Sequence, residues 1–174
     1  PHRYELELFG SENKNEIINY GFFEKAKDGT LLIDEVTEIP LETQAKILRV
    51  LIDQKFRRLN GSAEINVNVR IISTSSKNIR EEVDKGNFRE DLYHRLNVVP
   101  IFIPPLKDRA DDIPHLLNYF SKKIADSNGI NEIKLDTDLE LYYKYDWPGN
   151  VRELRNLVER ISILSVNENS NKIN

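Results

Sequence analysis

The sequence predicts an α/β fold, a parallel sheet core followed by a small helical bundle. Three observations carry this prediction. Short apolar runs alternate with amphipathic stretches up to about Pro105, the pattern of strands and helices in a parallel α/β sheet. One run, "TLLIDEV" (Thr30–Val36), leads into two adjacent acids, as a buried parallel strand would on reaching a sheet edge. From about Lys107 onward the pattern is helical throughout. The boundaries that follow are 1–105 for the α/β part and 106–174 for the helical part.

Each element has its own signal. In "LETQAKILRVLIDQKF", Ala45, Leu48, Leu51 and Ile52 recur at helical spacing behind Pro40, which predicts a helix. "INVNVRIISTSS" alternates through Ile65, Val67 and Val69 and then turns apolar; it reads as one strand entering the core. "VVPIFIPPL" reads as a further strand, stopped by Pro104 and Pro105, which cannot donate to a ladder. In "DDIPHLLNYFSKKIADSNG", Ile113, Leu116, Leu117 and Phe120 form a stripe and Gly129 marks the stop. "DTDLELYYKYDWPGN" and "VRELRNLVERISILS" supply two more helices around a break at Pro148–Gly149, enough for a bundle. The polar tail "NENSNKIN" is expected to fray or to lead into a linker.

Composition excludes several function classes. Charged residues make up 31% and hydrophobic residues 39%, which fits a globular chain. A net charge of -4 gives no electrostatic reason for strong nucleic-acid binding by this chain alone. There is no cysteine, so no disulfide and no thiolate metal site, which suits a reducing cytoplasm. No apolar run is long enough for a membrane span. The three histidines do not pair at metal-ligand spacing. "NGS" (Asn60–Ser62) matches the glycosylation pattern but lacks a secretory context. The aromatics Tyr142, Tyr143, Tyr145 and Trp147 read as helix packing rather than a base-stacking platform. The chain opens on Pro1 rather than Met and is expected to be a piece of a longer polypeptide.

Three stretches could carry chemistry. Asp34 and Glu35 end a strand at the edge where open α/β sheets bind ligands. One acid there can hold Mg²⁺ and its neighbour can activate a water; the plainer alternative is a solvated acidic turn. In "FREDLYHRLNV", Arg89 and Arg95 lie six positions apart on an expected helix, roughly 600° of turn, so they diverge around it. They are either two exposed charges or a pair reaching across a subunit boundary to a phosphate, which the planar guanidinium binds bidentately. In "WPGNVREL", Asn150 can cap a helix that places Arg152 in its first turn. The helix dipole disfavours a cation there, so an anionic partner is one reading and a simple helix start is the other.

Taken together, "ELELFG", "GTLLIDEV", "ILRVLIDQKFRRLNG", "NVRIISTSS", "NFREDLYHRLNVVPIFIPPLKDRADDIPHL" and "YDWPGNVRELRNLVER" resemble the AAA+ domain of bacterial enhancer-binding proteins, the sigma-54-dependent activators of the NtrC family. The resemblance covers nearly the whole chain. It implies a P-loop NTPase-type parallel sheet with a helical lid, and an ATP-driven homo-oligomeric ring, hexameric or heptameric, that remodels sigma-54 RNA polymerase. By motif, Asp34 and Glu35 would be the Walker B pair, with Asp34 on Mg²⁺ and Glu35 on the attacking water. Arg89 and Arg95 would be fingers acting on the next subunit's ATP. Arg152 would be the lid residue that reads nucleotide phosphates. Ser75 and Ser76 stand where the family has its first sensor, usually a threonine followed by asparagine or histidine.

Two departures qualify the resemblance. No G-x-x-x-x-G-K-[ST] loop occurs in the chain. Without that phosphate cradle these residues are expected to bind ATP weakly or not at all, as an N-terminally truncated domain whose missing strands leave a bare sheet edge. The second departure is "SENKNEIINYG", Ser11 to Gly21. It stands where the family carries the motif GAFTGA and is about four residues shorter, a loss of at most about 14 Å of contour. Such a loss resembles the NtrX branch of response regulators. That branch implies an upstream receiver domain phosphorylated by a sensor histidine kinase of the NtrY type, and a downstream helix-turn-helix that binds DNA. Three readings stay open: a cytoplasmic ATPase regulator that does not activate sigma-54, a catalytically inactive scaffold that oligomerises DNA-binding domains, and a sigma-54 activator with a diverged loop.

Overall fold

The computed structural model describes residues 2–13, 18–135 and 139–170, the side chains of 166–170 excepted. The chain divides into two compact units at the Pro100–Ile101 bond. The fold is mixed α/β with a parallel strand pair in the first unit and a helical second unit.

The first unit opens with α1 (His2–Phe9), followed by β1 (Gly10–Glu12), β2 (Ile18–Tyr20) and α2 (Phe22–Lys25). β1 and β2 pair antiparallel, Gly10 opposite Tyr20 and Glu12 opposite Ile18. Residues 14–17, the tip of the shortened loop, lie outside the described residues. The base of this hairpin is tight. A Cβ on Gly21 would stand 2.4 Å from both the Gly10 nitrogen and the Leu8 oxygen, and Gly10 itself has φ +71. The hairpin is also tied sideways. Arg58, nearly buried, donates to both carboxylate oxygens of Glu24 at 3.0 and 2.6 Å, lies 3.6 Å from Glu12 and sits over the Tyr20 ring.

β3 (Thr30–Ile33) follows, then a 3-10 turn at Val36–Glu38 and α3 (Leu41–Asp53). β4 (Lys55–Arg57) and β5 (Glu64–Asn66) form a second antiparallel pair, and β6 (Arg70–Ser73) runs parallel to β3. α4 (Ile79–Asp84) and α5 (Glu90–Leu96) complete the unit. Its core gathers Phe9, Phe23 and Phe56, with ring centroids 5.5–6.1 Å apart, together with Ile33, Val36, Ile47, Val50 and Leu92. Burial of such side chains is worth about 1.5–3 kcal/mol each.

The structure corrects four details. The stretch expected as one strand from Ile65 is two, because the chain changes partner: Val67 N bonds to Gln54 O, Arg70 N bonds to Gly29 O, and pairing passes from β4 to β3. The buried face of α3 is Thr43, Gln44, Ile47, Val50 and Leu51, while Ile52 is exposed; apolar spacing missed a face that contains a hydrogen-bonded glutamine. β3 is buried on alternate residues, with Leu31 and Ile33 inside and Leu32 out. The segment Val98–Pro105 is not a strand. Three prolines remove donors from it, it has no ladder partner among the described residues, and Val98, Val99, Ile101, Phe102 and Ile103 all stand exposed.

The second unit begins with 3-10 turns at Leu106–Asp112, broken at Arg109. α6 (Ile113–Asn128), α7 (Leu139–Lys144) and α8 (Asn150–Ser170) follow. α6 buries Ile113, Leu117, Phe120 and Ile124 against Leu154 and Val158 of α8, and ends at Gly129 with φ 63. Trp147 joins this core, stacked on Tyr142 and donating from its indole nitrogen to the Tyr142 carbonyl at 2.8 Å. Asn150 does not cap α8 with its side chain as expected. Its amide oxygen accepts instead from Leu106 N at 2.7 Å, while Glu153 reaches back to Gly149 N at 2.9 Å. The polar tail is helical up to Ser170, and residues 171–174 lie outside the described ones.

The crowding at Gly21 generates a prediction. Gly21→Ala must push backbone atoms apart, so it should lower unfolding stability by about 1–3 kcal/mol. A denaturant midpoint equal to that of the parent chain would contradict this account of the hairpin base.

Candidate functional site

Parallel pairing of β3 and β6 brings the acid pair to a row of hydroxyls. Ile33 lies opposite Ser73. The ladder continues past both strands, with Thr74 N donating to Ile33 O at 3.0 Å and Val36 N to Thr74 O at 2.9 Å. Asp34 and Glu35 are therefore held in a bend opposite Thr74. Glu35 has φ 52 and ψ 56, the left-handed region that few residues other than glycine adopt without strain.

Each acid has its own partner. The Thr74 hydroxyl donates to Asp34 Oδ1 at 2.6 Å and accepts from Glu35 N at 3.1 Å. Glu35 Oε2 accepts from both the backbone nitrogen and the hydroxyl of Ser76, at 2.9 and 3.0 Å. Ser75 turns elsewhere. Its hydroxyl donates to Lys77 O at 2.8 Å and lies 3.1 Å from the Thr37 hydroxyl. A hydroxyl has one proton, so Thr37 is the donor in that contact. Of the two serines singled out in the sequence, Ser76 contacts an acid and Ser75 buttresses the turn. Thr74 was missed. Its signal was available, since it is the first residue after a strand paired to the acid-bearing strand.

Arg89 and Arg95 occupy different settings. Arg89 is the cap residue ahead of α5, not part of the helix. Its guanidinium makes a bidentate pair with Asp91, at 3.0 and 2.6 Å. That contact holds the Asp91 carboxyl below the ordinary carboxylate value. Both side chains are more than 40% exposed, and an exposed pair is worth about 0–1 kcal/mol, so a stronger anion can displace Asp91. Arg95 lies in the last turn of α5 and donates to Leu51 O at 3.0 Å, at the end of α3 where unpaired carbonyls favour a cation. In the second unit, Arg152 is exposed in the first turn of α8. Among the described residues no carboxylate pairs with it.

Among the described residues no three His, Asp or Glu side chains converge on a metal position. Mg²⁺ does not require that; it is usually bound by one or two carboxylates plus phosphate oxygens and water. Asp34 is exposed, and only its Oδ1 is engaged by Thr74, which leaves Oδ2 for an ion. The donor set therefore fits Mg²⁺ brought with a nucleotide. No helix among the described residues is long and apolar enough to cross a membrane.

Comparison with known proteins gives a consistent picture. Residues 4–102 match the sigma-54 interaction domain and residues 107–173 match the AAA+ ATPase lid domain. The chain is 47% identical over 167 residues to the nitrogen assimilation regulatory protein NtrX of Azorhizobium caulinodans, covering 95% of this chain and 37% of that protein. It is 42% identical over 166 residues to the regulatory protein AtoC of Escherichia coli, covering 92% and 36%. Among solved structures, NtrX from Brucella abortus in complex with ADP superposes with a TM-score of 0.88 at 47% identity, covering 95% of this chain and 37% of that one. The same protein in complex with ATP gives the same score, covering 36% of its chain. The chain thus spans little more than a third of the length of these relatives.

The Arg89–Asp91 pair generates a prediction. Removing the guanidinium in Arg89→Ala removes the main cause of the depressed Asp91 value, so the Asp91 midpoint should rise toward the ordinary carboxylate range. Carboxyl NMR titration measures it. An unmoved midpoint would mean that the backbone donors at Leu92 and Asp91 hold the charge without Arg89.

Proposed function

The chain belongs to the sigma-54 interaction domain family of AAA+ proteins, and on that premise we propose that it is part of the central ATPase domain of an NtrX-like, cytoplasmic transcriptional response regulator. The regulator binds ATP at subunit interfaces to control its own assembly, as a ring, and thereby transcription. The observation that carries this reading is the acid pair at the end of β3, with Asp34 and Glu35 each held by a hydroxyl of the 74–76 turn. Adenine nucleotides in the Brucella NtrX structures support the ligand. Asp34 would hold Mg²⁺, whose charge offsets that developing on the phosphates. Glu35 would take the proton of the water that attacks the γ-phosphorus as ADP leaves.

The remaining roles follow from exposure and chemistry. Arg89 would leave Asp91 and contribute its fork to the γ-phosphate in the adjoining subunit, with Arg95 beside it once released from Leu51 O. Arg152, exposed and unpaired among the described residues, would read the phosphates from the lid. The phosphate-cradling loop is absent from these 174 residues, so turnover belongs to a longer polypeptide. That polypeptide would carry a receiver domain addressed by a histidine kinase and a DNA-binding helix-turn-helix. GAFTGA is absent between Gly10 and Phe22, and this supports a regulator that does not remodel the sigma-54 holoenzyme. A scaffold reading has one observation in its favour, that both arginines are engaged within their own subunit.

ATP turnover by the longest native form tests the proposal. Activity should rise with protein concentration. Glu35→Gln should lower kcat by about 10²-fold or more, and Arg89→Ala by about 10³-fold or more. Turnover indifferent to both substitutions would reject the assignment, and no turnover with DNA binding intact would favour the scaffold.

A further inference from the structure

Gln44 connects the acid pair to the arginine that would serve the neighbouring subunit. It is fully buried on α3, where its neighbours on the same face are mostly apolar. A buried amide is tolerated only when its polar atoms are satisfied, and here both ends of the amide are used. Nε2 donates to Ile39 O at 2.7 Å and to Asn87 O at 3.2 Å, and Oε1 accepts from Arg89 N at 2.9 Å. Ile39 follows the 3-10 turn at Val36–Glu38, whose cap residue is Glu35. Within that turn Glu38 N bonds to Glu35 O at 2.9 Å and Ile39 N to Val36 O at 3.3 Å. The hydrogen-bonded backbone of this turn, and then the two amide ends of Gln44, therefore link Glu35 through Ile39 to the Arg89 backbone. Phe88 and Leu92, on either side of Arg89, are buried at 2% and 0% exposure, so the backbone there cannot drift independently.

From this geometry we infer that Gln44 is a positioning residue that sets where Arg89 is presented, and makes that placement respond to the conformation at Glu35 in the same subunit. The inference rests on the reading above of Arg89 as a finger for the next subunit. A strut of this kind transmits displacement because a packed amide with both ends bonded has no free rotamer. Its consequence in a ring is directional. The state of one subunit's acid pair alters the arginine it offers to the adjoining site.

The experiment uses the full-length protein. Gln44→Met keeps the length and removes all three hydrogen bonds; Gln44→Glu keeps the acceptor for Arg89 N and loses the donors. The variant that retains parental nucleotide affinity, the sign that its own site is formed, is mixed with an excess of Glu35→Gln subunits. Those subunits have an intact arginine and keep the Glu35 backbone oxygen from which the link to Arg89 starts, but have no activating acid. Arg89→Ala receives the same treatment in parallel. The Gln44 variant alone should lose about 10- to 10²-fold in kcat, the scale of a misplacement of about 1 Å, with little change in nucleotide affinity. Turnover per Gln44-variant site should recover on mixing, because each such site then borrows a correctly placed Arg89. Unchanged kcat overturns the inference. So does a loss that mixing does not repair while Arg89→Ala is repaired, or a loss of nucleotide affinity in both Gln44 variants, since Gln44 then serves its own site. If mixing does not restore Arg89→Ala itself, the finger assignment has failed and this inference falls with it.

Discussion

Ile33 pairs with Ser73 across a parallel ladder four residues long, and everything around the acid pair depends on that register. Thr74 and Val36 carry the ladder one step beyond the strands, so the bend at Asp34 and Glu35 must face the hydroxyls that follow β6. A slip of one residue would move Leu31 and Ile33 out of the core and set Leu32 into it. The apolar cost of that exchange, of order 1.5–3 kcal/mol per side chain, guards the placement of the polar site. The acid pair is positioned by hydrophobic side chains elsewhere on its strand.

Two arginines close together in sequence have been given opposite constraints. Arg89 is tethered by an exposed carboxylate two residues away, a contact weak enough to exchange. Arg95 instead donates to Leu51 O near the end of α3, a carbonyl that also accepts from Gln54 Nε2, so moving it gives up a contact to a helix terminus. Release of Arg89 is a side-chain event, whereas release of Arg95 involves the end of a helix. A site that engages them in sequence would engage Arg89 first.

Much of this was legible in the residues. A short apolar run ending in Asp34-Glu35 is a signal of composition and order, and the parallel strand bearing it is where it was expected. The stripe on α6 and its Gly129 stop also followed from periodicity. What escaped has a common cause. Gln44 lies on the buried face of α3, but apolar spacing cannot register a polar residue whose burial is made possible by bonds to residues 39, 87 and 89. Thr74 owes its role to a strand pairing that spans 40 positions. Val98–Pro105 has the composition of a strand, yet a strand exists only with a partner, and prolines at three positions limit which edge could supply one. Local pattern reports the groups a segment contains; long-range pairing decides which of them meet.

Glu35 sits in a backbone conformation that suits glycine better than any residue with a side chain. Gly there would relieve strain of about 1 kcal/mol or more, while giving up the two hydrogen bonds that Ser76 donates to the carboxylate. A laboratory selection for heat resistance applied to this domain, with no demand on activity, would weigh those two contributions against each other at position 35, and would delete the carboxylate wherever the backbone one prevailed. The position sets backbone ease against side-chain bonding within a single residue, and the glutamate found there keeps the bonding.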